Sequence, residues 1–231
     1  MLKNTKWVFF ILAYWGTLLN GEIEFSHRTH PFYTHQPVLY EMALRTSGPI
    51  FEFGCGYGST DMLHEVCKDN KRLLISIDDN LEWLQIFSEK YNNDSEWHKF
   101  IFVPGKSVDD IDNPQHWVEF LNNLGLSKLS VDVCFIDQHP WLGRLETIKY
   151  MKDKARFIIV HDCDYFPTNG IFGTTIRPIV NDTPGLFDFS DIFQYFKVYF
   201  PISPWPVWTG PPTLLGSDFE QDLPDIDFNE Y

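Results

Sequence analysis

The sequence predicts a doubly wound α/β domain in which a mostly parallel sheet ends in a C-terminal antiparallel strand pair. Three observations predict this fold: five short runs rich in Val, Ile, Leu and Phe, segments of helical spacing between those runs, and a glycine-rich stretch directly after the first run. Parallel strands are covered on both faces, so they read as continuous apolar runs. Their alternation with helices is typical of a doubly wound sheet.

The first half of the domain contains three predicted strands. Residues 49–53 form a short apolar run, and the glycine-rich stretch follows it. The sequence RLLISI at 72–77 predicts a second buried strand, and KFIFV at 99–103 predicts the third. Between and before them, apolar residues three and four positions apart indicate helices. The predicted helices of this half are 38–45, 60–68 and 81–91.

The second half repeats the pattern and then closes it. The sequence VDVCFI at 131–136 predicts the fourth strand, and RFIIV at 156–160 predicts the fifth. Segments 193–200 and 213–215 then predict the antiparallel pair that closes the sheet. The predicted helices of this half are 116–124 and 142–151.

The first residues of the chain do not follow this alternation of strands and helices. Lys3 and Lys6 precede an unbroken apolar run at 7–19, after which the sequence turns polar. A short basic region before an apolar run is the layout of a secretory signal, and the run is shorter than the roughly 20 residues of a membrane span. We expect residues 1–21 to be a signal peptide or membrane anchor, and the protein to enter the secretory pathway or associate with a membrane. If this segment instead packs on the domain, a cytoplasmic protein is expected.

Composition limits both the domain and its partners. The chain has 231 residues, of which 44% are hydrophobic, and this suits a single domain with its own core. We expect that domain over residues 22–216, followed at 217–231 by an acidic flexible tail that has no apolar period. The formal net charge of -14 argues against a nucleic-acid partner, because a phosphate backbone requires clustered Lys and Arg. A small molecule or a glycan is expected instead.

A glycine-rich motif carries the functional prediction. The sequence EFGCGYG begins at Glu52, ends the first strand and contains Gly54, Gly56 and Gly58. Glycine lets the backbone turn sharply and approach a ligand closely, while the N-terminus of the following helix offers free N–H groups. Asp78 ends the second strand, where a carboxylate can accept hydrogen bonds from ribose hydroxyls. The motif therefore predicts a ligand that contains ribose.

This motif resembles motif I of the class I S-adenosylmethionine-dependent methyltransferases, in which an acidic residue, any residue and then G-x-G-x-G follow one another. The resemblance covers residues 48–165 and implies a Rossmann-like methyltransferase fold with S-adenosylmethionine as the cofactor. It implies that Glu52 helps to hold the amino group of the cofactor and that Asp78, with Asp79 beside it, binds the ribose. Many members carry an acidic residue near the adenine after the third strand. This chain has Ser107 there, and its backbone can reach the adenine edge. Asp109 or Asp110 is the alternative source of the acidic contact.

Two alternatives stay open at this point. A nicotinamide or flavin dinucleotide requires G-x-G-x-x-G, and Ser59 occupies the third position, where glycine allows close packing of helix and strand. An NAD-type oxidoreductase is therefore the less favoured prediction. The other alternative is a non-catalytic cofactor-binding protein of the same fold, which badly placed groups at the strand ends would indicate.

Acidic and histidine side chains follow the fourth and fifth strands. Ligands of open parallel sheets bind beyond the carboxyl ends of the strands, so we expect these side chains to converge. They are Asp137, His139, His161, Asp162 and Asp164. A hydroxyl that accepts a methyl group must lose its proton, and a positioned His or Asp can take it. His139 is the predicted base, His161 is the second candidate, and Asp137 belongs to the same catalytic group.

The same carboxylates also predict a metal site. Hard cations prefer oxygen ligands, and Asp137, Asp162 and Asp164 can supply a set for Mg²⁺ or another divalent cation. This arrangement is similar to that of macrocin-type sugar O-methyltransferases, which place acidic residues after strands four and five. A role for Asp162 in capping the following turn is the alternative. The sequence as a whole predicts O-methylation of a hydroxyl on a small molecule or glycan, with membrane association through residues 7–19.

Overall fold

The computed structural model describes residues 23, 25–26, 30–105, 113–165, 189–200 and 210–231. The expected signal or anchor at 1–21 and the predicted cofactor residue Ser107, with its alternatives Asp109 and Asp110, lie outside the described residues. In the ranges that are described, no helix is long and apolar enough to cross a bilayer.

The described strands form one seven-stranded sheet with the order β3-β2-β1-β4-β5-β7-β6. The strands are β1 Ile50–Phe53, β2 Leu74–Asp78, β3 His98–Phe102, β4 Val131–Ile136, β5 Ala155–Val160, β6 Tyr195–Tyr199 and β7 Thr213–Ser217. Strands β1 to β5 pair in parallel, whereas β7 runs antiparallel to both β5 and β6. The predicted fold class is therefore confirmed. The strand order reverses between β1 and β4, which is where ligands of doubly wound sheets bind.

Helices connect the strands as the sequence predicts. They are α1 Gln36–Leu44, α2 Thr60–Lys68, α3 Leu81–Lys90, α4 Gln115–Leu124 and α5 Trp141–Met151. Short 3-10 turns lie at Pro31–Tyr33, Asn92–Asp94 and Cys163–Tyr165. The bounds of α2 and β4 match their predictions, and most other bounds differ by one or two residues. Such shifts are expected where helix and strand ends fray.

Two apolar cores cover the two faces of the sheet, because side chains alternate along each strand. On β1, Ile50 packs in the core that contains Leu63 of α2, and Phe51 packs in the core that contains Trp117 of α4. Glu52 alternates back to the face of Ile50 and is fully buried there. A carboxyl group in this position must find hydrogen-bond partners inside the protein.

The C-terminal residues differ from the prediction of a flexible tail at 217–231. Phe228 is only 6% exposed, and Ile226 packs beside it against the core that α1 and α2 cover. The hydroxyl of Tyr231 donates a hydrogen bond to Glu41 Oε2 of α1 at 2.7 Å. The prediction failed because a few widely spaced apolar residues can fill a surface groove without following a helix or strand period.

Candidate functional site

The glycine-rich turn lies between β1 and α2, at the reversal of strand order. A Cβ added to Gly54, whose φ is +95°, would lie 2.6 Å from the backbone of Asp137 and Gln138, and one added to Gly58 would lie 2.5 Å from the ring of Tyr33. A Cβ on Gly56 would meet only Ser59 Oγ, at 3.9 Å. Gly54 and Gly58 thus serve close packing, whereas the missing side chain of Gly56 leaves the backbone open to a ligand. This cradle fits the cofactor that the motif implies.

Asp78 fastens the end of β2 to this turn. Its Oδ2 accepts a hydrogen bond from the backbone N–H of Cys55 at 2.7 Å, and its Oδ1 accepts one from Asn80 at 2.7 Å. The side chain thus lies beside the turn, as the ribose-binding role requires. That role stays a prediction.

Asp79 lies next to Asp78 and pairs with a histidine from α4. Its Oδ2 is 2.9 Å from Nε2 of His116, and both side chains are less than a tenth exposed. Sequence reasoning did not identify His116. A histidine at the start of a helix 37 residues away gives no local signal of this contact.

Glu52 holds the glycine-rich turn in place through Thr60. Its Oε1 accepts a hydrogen bond from the Thr60 hydroxyl at 3.0 Å, and Thr60 Oγ1 in turn accepts the backbone N–H of Gly56 at 2.9 Å. Burial raises the pKa of Glu52 to about 7, although hydroxyl groups around it act in the opposite direction. The predicted contact with the amino group of the cofactor stays a prediction. What the structure adds is that Glu52 positions the backbone of Gly56 through Thr60.

Glu52 also begins a continuous chain of hydrogen-bonded side chains, which we call the Glu52 chain. The Ser76 hydroxyl contacts Glu52 Oε2 at 2.5 Å and His98 Nε2 at 3.0 Å. His98 Nδ1 lies 3.0 Å from His64 Nδ1, and His64 Nε2 lies 3.5 Å from a carboxylate oxygen of Asp94. The chain therefore connects the fully buried Glu52 to Asp94, whose side chain is 38% exposed.

A second polar group lies at the ends of β4 and β5, and we call it the strand-tip cluster. Its members are His35, Asp137, His161, Asp162 and Asp164. His161 Nδ1 is 3.2 Å from Asp137 Oδ1, and His161 Nε2 is 3.2 Å from Thr34 Oγ1. Because the Thr34 hydroxyl donates to the Pro211 carbonyl at 2.7 Å, His161 Nε2 must donate to Thr34. The bond to Thr34 thereby leaves Nδ1 as the atom that faces the Asp137 carboxylate.

The charges of this cluster shift its pKa values. Burial alone would lower the pKa of His161, but the carboxylates of Asp162 and Asp137 raise it above its ordinary value. Burial would raise the pKa of Asp137, but His161 and Arg144 hold it well below its usual range. The pair therefore favours a protonated imidazole beside an ionised carboxylate.

Arg144 of α5 clamps the two strand ends together. Its guanidinium donates to the backbone carbonyls of Asp137 at 2.9 Å, Gln138 at 2.7 Å and His161 at 2.8 Å. It also forms ion pairs with the carboxylates of Asp137 at 2.8 Å and Asp162 at 3.5 Å. Arg144 is 5% exposed, so its guanidinium binds groups within the protein and is not available to a ligand at the surface.

His139, the predicted base, occupies a different position from His161. Its backbone carbonyl accepts a hydrogen bond from Trp117 Nε1 at 2.9 Å, which fixes the loop after β4. Its side chain is exposed, whereas His161 is only 2% exposed. The two histidines that the sequence placed together therefore lie in different environments.

His35, which sequence reasoning missed, completes the strand-tip cluster. It precedes the first residue of α1, is 2% exposed, and neither of its ring nitrogens makes a hydrogen bond. One ligand atom each from His35, Asp137 and His161 lies within 4.8 Å of the others, which is the only such trio of His, Cys, Asp or Glu in the described residues. The predicted metal ligands Asp162 and Asp164 do not belong to that trio. Asp164 is 1% exposed without a hydrogen bond to either carboxylate oxygen.

Comparison with known proteins gives similarity at the level of structure. No protein-family profile matches the chain, and no curated protein sequence matches it. A putative O-methyltransferase from Klebsiella pneumoniae superposes with a TM-score of 0.52 and 13% identity, over 81% of this chain and 80% of that one. The chain has the class I methyltransferase fold.

Two further solved structures are similar at slightly lower scores. The O-methyltransferase TomG from Streptomyces achromogenes, in complex with S-adenosylmethionine, gives a TM-score of 0.49 and 13% identity over 80% of this chain and 79% of its own. The N-terminal domain of human METTL16, in complex with S-adenosylhomocysteine, gives a TM-score of 0.48 and 13% identity, over 83% of this chain and 72% of that one.

Proposed function

We propose that the protein is an S-adenosylmethionine-dependent methyltransferase that methylates a hydroxyl of a small molecule or glycan. One observation carries the proposal: at the reversal of strand order, the glycine-rich turn that contains Gly56 contacts the end of β4 through Gly54, and the ends of β4 and β5 bear His139, Asp137 and His161. Donor-binding and proton-accepting groups therefore occur at the same edge of the sheet. When bound, the cofactor supplies a methyl group on a positively charged sulfur.

Different residues are proposed to bind different parts of the methyl donor. The backbone of Gly54, Gly56 and Gly58 forms the cradle, and Glu52 holds it in place through Thr60. Asp78 and Asp79 provide carboxylates at the end of β2, where the ribose would lie. Ser107, on the segment after β3, is proposed to contact the adenine through its backbone.

On the acceptor side, His139 is the proposed general base. A base must reach the acceptor hydroxyl, and His139 is exposed on a loop whose backbone Trp117 fixes. His161 is buried and engaged on both ring nitrogens, so it suits a positioning role better. The three carboxylates of the strand-tip cluster and the net charge of -14 favour an acceptor without phosphate or other strong negative charge.

A divalent cation at the strand ends is part of the proposal. A cation beside the acceptor would lower the pKa of its hydroxyl, and His139 would then collect the proton more easily. The excess of carboxylates at Asp137, Asp162 and Asp164 over the single guanidinium of Arg144 supports this role.

For the N-terminal segment, we propose a secretory signal or membrane anchor at residues 1–21, on the strength of the basic residues before the apolar run at 7–19. Deletion of 1–21 is expected to leave a soluble chain that binds the donor as tightly as the full chain. A large drop in melting temperature after deletion would show that the run packs into the domain and would favour a cytoplasmic protein.

The donor assignment is tested by calorimetry on the full chain with S-adenosylmethionine, S-adenosylhomocysteine and NAD. The structure offers a matched pair of variants. A side chain at Gly56 meets open space, so Gly56→Val should fold normally and lose donor binding, whereas Gly58→Ala collides with Tyr33 and should lower the melting temperature. NAD binding without S-adenosylmethionine binding would favour the oxidoreductase alternative. Donor binding without turnover on any hydroxyl acceptor would favour a non-catalytic binding protein.

A further inference from the structure

The environment of His35 differs from that of the other buried histidines in the described part of the chain. His64, His98 and His161 each hydrogen-bond through their ring nitrogens. Neither nitrogen of His35 has a hydrogen-bond partner, although the residue is 2% exposed. Buried polar groups are almost always paired, so this exception requires a physical explanation.

The surroundings of the His35 ring indicate which partner is missing. The ring stands at 69° to the ring of His161, with 4.4 Å between their centroids, and lies against Phe135 on another side. Its nearest polar groups are thus His161, the backbone of Gly58 and, through the shared trio, Asp137, and none of them makes a hydrogen bond of ordinary geometry with the ring. A neutral imidazole has one nitrogen with a lone pair, and in His35 no hydrogen bond occupies that lone pair.

The spacing of the other two groups suits a metal ion. Two ligands that each lie about 2.0–2.2 Å from one ion are roughly 3.0–3.5 Å apart at tetrahedral or octahedral angles. His161 Nδ1 and Asp137 Oδ1 are 3.2 Å apart. One ligand atom of His35 lies within 4.8 Å of a ligand atom of Asp137 and one of His161, so a small side-chain movement brings the three to one centre.

The charge around the trio also suits a cation. Asp162 Oδ1 lies 3.4 Å from His161 Nε2, so Asp162 adds a second carboxylate to that of Asp137. Asp164 adds a third carboxylate nearby. Arg144 is the guanidinium that offsets them, and three backbone carbonyls hold it in place. The carboxylates exceed the fixed positive charge, which favours a divalent ion over a neutral ligand.

We propose that His35, Asp137 and His161 bind a divalent transition-metal ion of the Zn²⁺ or Co²⁺ type. Two imidazoles favour such ions over Mg²⁺, which prefers oxygen ligands throughout. Three protein ligands leave one position open, as in catalytic zinc sites. The side chain of Asp137 is 26% exposed and both histidines are buried, so water or a ligand oxygen would reach the open position beside Asp137. The site does not depend on the proposed methyl transfer.

Thr34 is the positioning residue of this site. Its hydroxyl, fixed by the Pro211 carbonyl, accepts the Nε2 hydrogen of His161 and thereby directs Nδ1 toward the ion, which would displace the Nδ1 proton on binding. Loss of a hydrogen bond that orients a metal-binding histidine typically weakens metal affinity about 10- to 100-fold. Thr34→Val should therefore weaken metal binding by that factor without removing a ligand.

The test is a titration of the chelator-treated full chain with Co²⁺, followed by visible absorption and by Zn²⁺ displacement. The wild type should bind one saturating equivalent, and Zn²⁺ should raise its melting temperature. His35→Phe keeps a ring in the same space and removes only nitrogens without partners, so it should fold and lose metal binding. His30→Ala, in the same segment, should bind Co²⁺ as the wild type does. If His35→Phe does not fold, His35→Gln replaces it.

The outcomes separate the two proposals. Absence of saturable Co²⁺ binding to the wild type, or equal binding by the His35 variants, would overturn the metal site. S-adenosylmethionine calorimetry on the same samples reports on the donor independently. Donor binding without metal binding would overturn the metal site and support the proposed function. Metal binding without donor binding would support the metal site and overturn the proposed function.

Discussion

The Glu52 chain and the strand-tip cluster are both built from buried histidines and carboxylates, but they differ in hydrogen bonding. Within the described residues, no buried side-chain nitrogen or oxygen of Glu52, Ser76, His98 or His64 lacks a partner. In the strand-tip cluster, both ring nitrogens of His35 and both carboxylate oxygens of Asp164 lack one. The first group is complete in the folded chain alone, and the second is not.

This difference indicates different roles. Because each member of the Glu52 chain satisfies the next, removal of one leaves its neighbours without partners, and the cost falls on folding. At Glu52 the chain meets Thr60, which holds the Gly56 backbone, so we expect the chain to support the glycine-rich turn. In the strand-tip cluster, His35 and Asp164 have unused lone pairs, so their removal should affect ligand binding more than folding.

The largest expected effect separates chemistry from binding on the acceptor side. If His139 is the base, His139→Ala should reduce turnover by about 10²–10⁴ while donor affinity stays nearly constant, because His139 acts on the proton of the acceptor. Single-turnover rates and donor calorimetry measure the two quantities. Unchanged turnover would place the base elsewhere, and His161→Ala is then the next variant to measure.

The second prediction concerns the pH dependence that Glu52 confers on stability. Its folded pKa of about 7 exceeds the value of 4.5 expected for an unfolded chain, so between these values the folded carboxyl keeps a proton that the unfolded one loses. The stability contributed by Glu52 is complete below pH 4.5 and is lost as the pH rises to 7. The loss should amount to about 3 kcal/mol.

Glu52→Gln should remove this slope, because the amide keeps the hydrogen-bonding shape without the ionisation. Free energies of unfolding from urea titrations between pH 4.5 and 8 measure the difference between the two proteins. Parallel curves for wild type and variant would show that Glu52 does not titrate in this range, and the Glu52 chain would then be a neutral structural element.

The smallest expected effect tests the link between the turn and the end of β2. Asp78→Ala removes a charged acceptor that holds the backbone N–H of Cys55 and is predicted to bind the ribose. Such a loss costs about 1.5–3 kcal/mol, or roughly ten- to a hundredfold in donor affinity. Thr34→Val, in the strand-tip region, is the control that should leave donor affinity unchanged. An equal loss in both variants would show that the two regions are coupled.

Local patterns were sufficient for most of the fold. The bounds of α2 and β4 follow from apolar runs and helical spacing between clear breaks, and the parallel order of β1 to β5 follows from their alternation with helices. The position of the glycine-rich turn was also predictable, because its glycines, Glu52 and Asp78 lie in or directly after adjacent strands. These are properties that a few consecutive residues determine.

The sequence by itself thus determined the α/β architecture, the glycine-rich cradle and the placement of Asp137 and His161 at neighbouring strand ends. Only the tertiary structure decided that His35 joins them, that Arg144 is occupied by backbone carbonyls, and that residues 217–231 pack on the domain. Thr34 and His161, for example, are 127 positions apart. Contacts of this kind depend on how helices dock on the sheet, and that docking leaves no periodic signal in the local sequence.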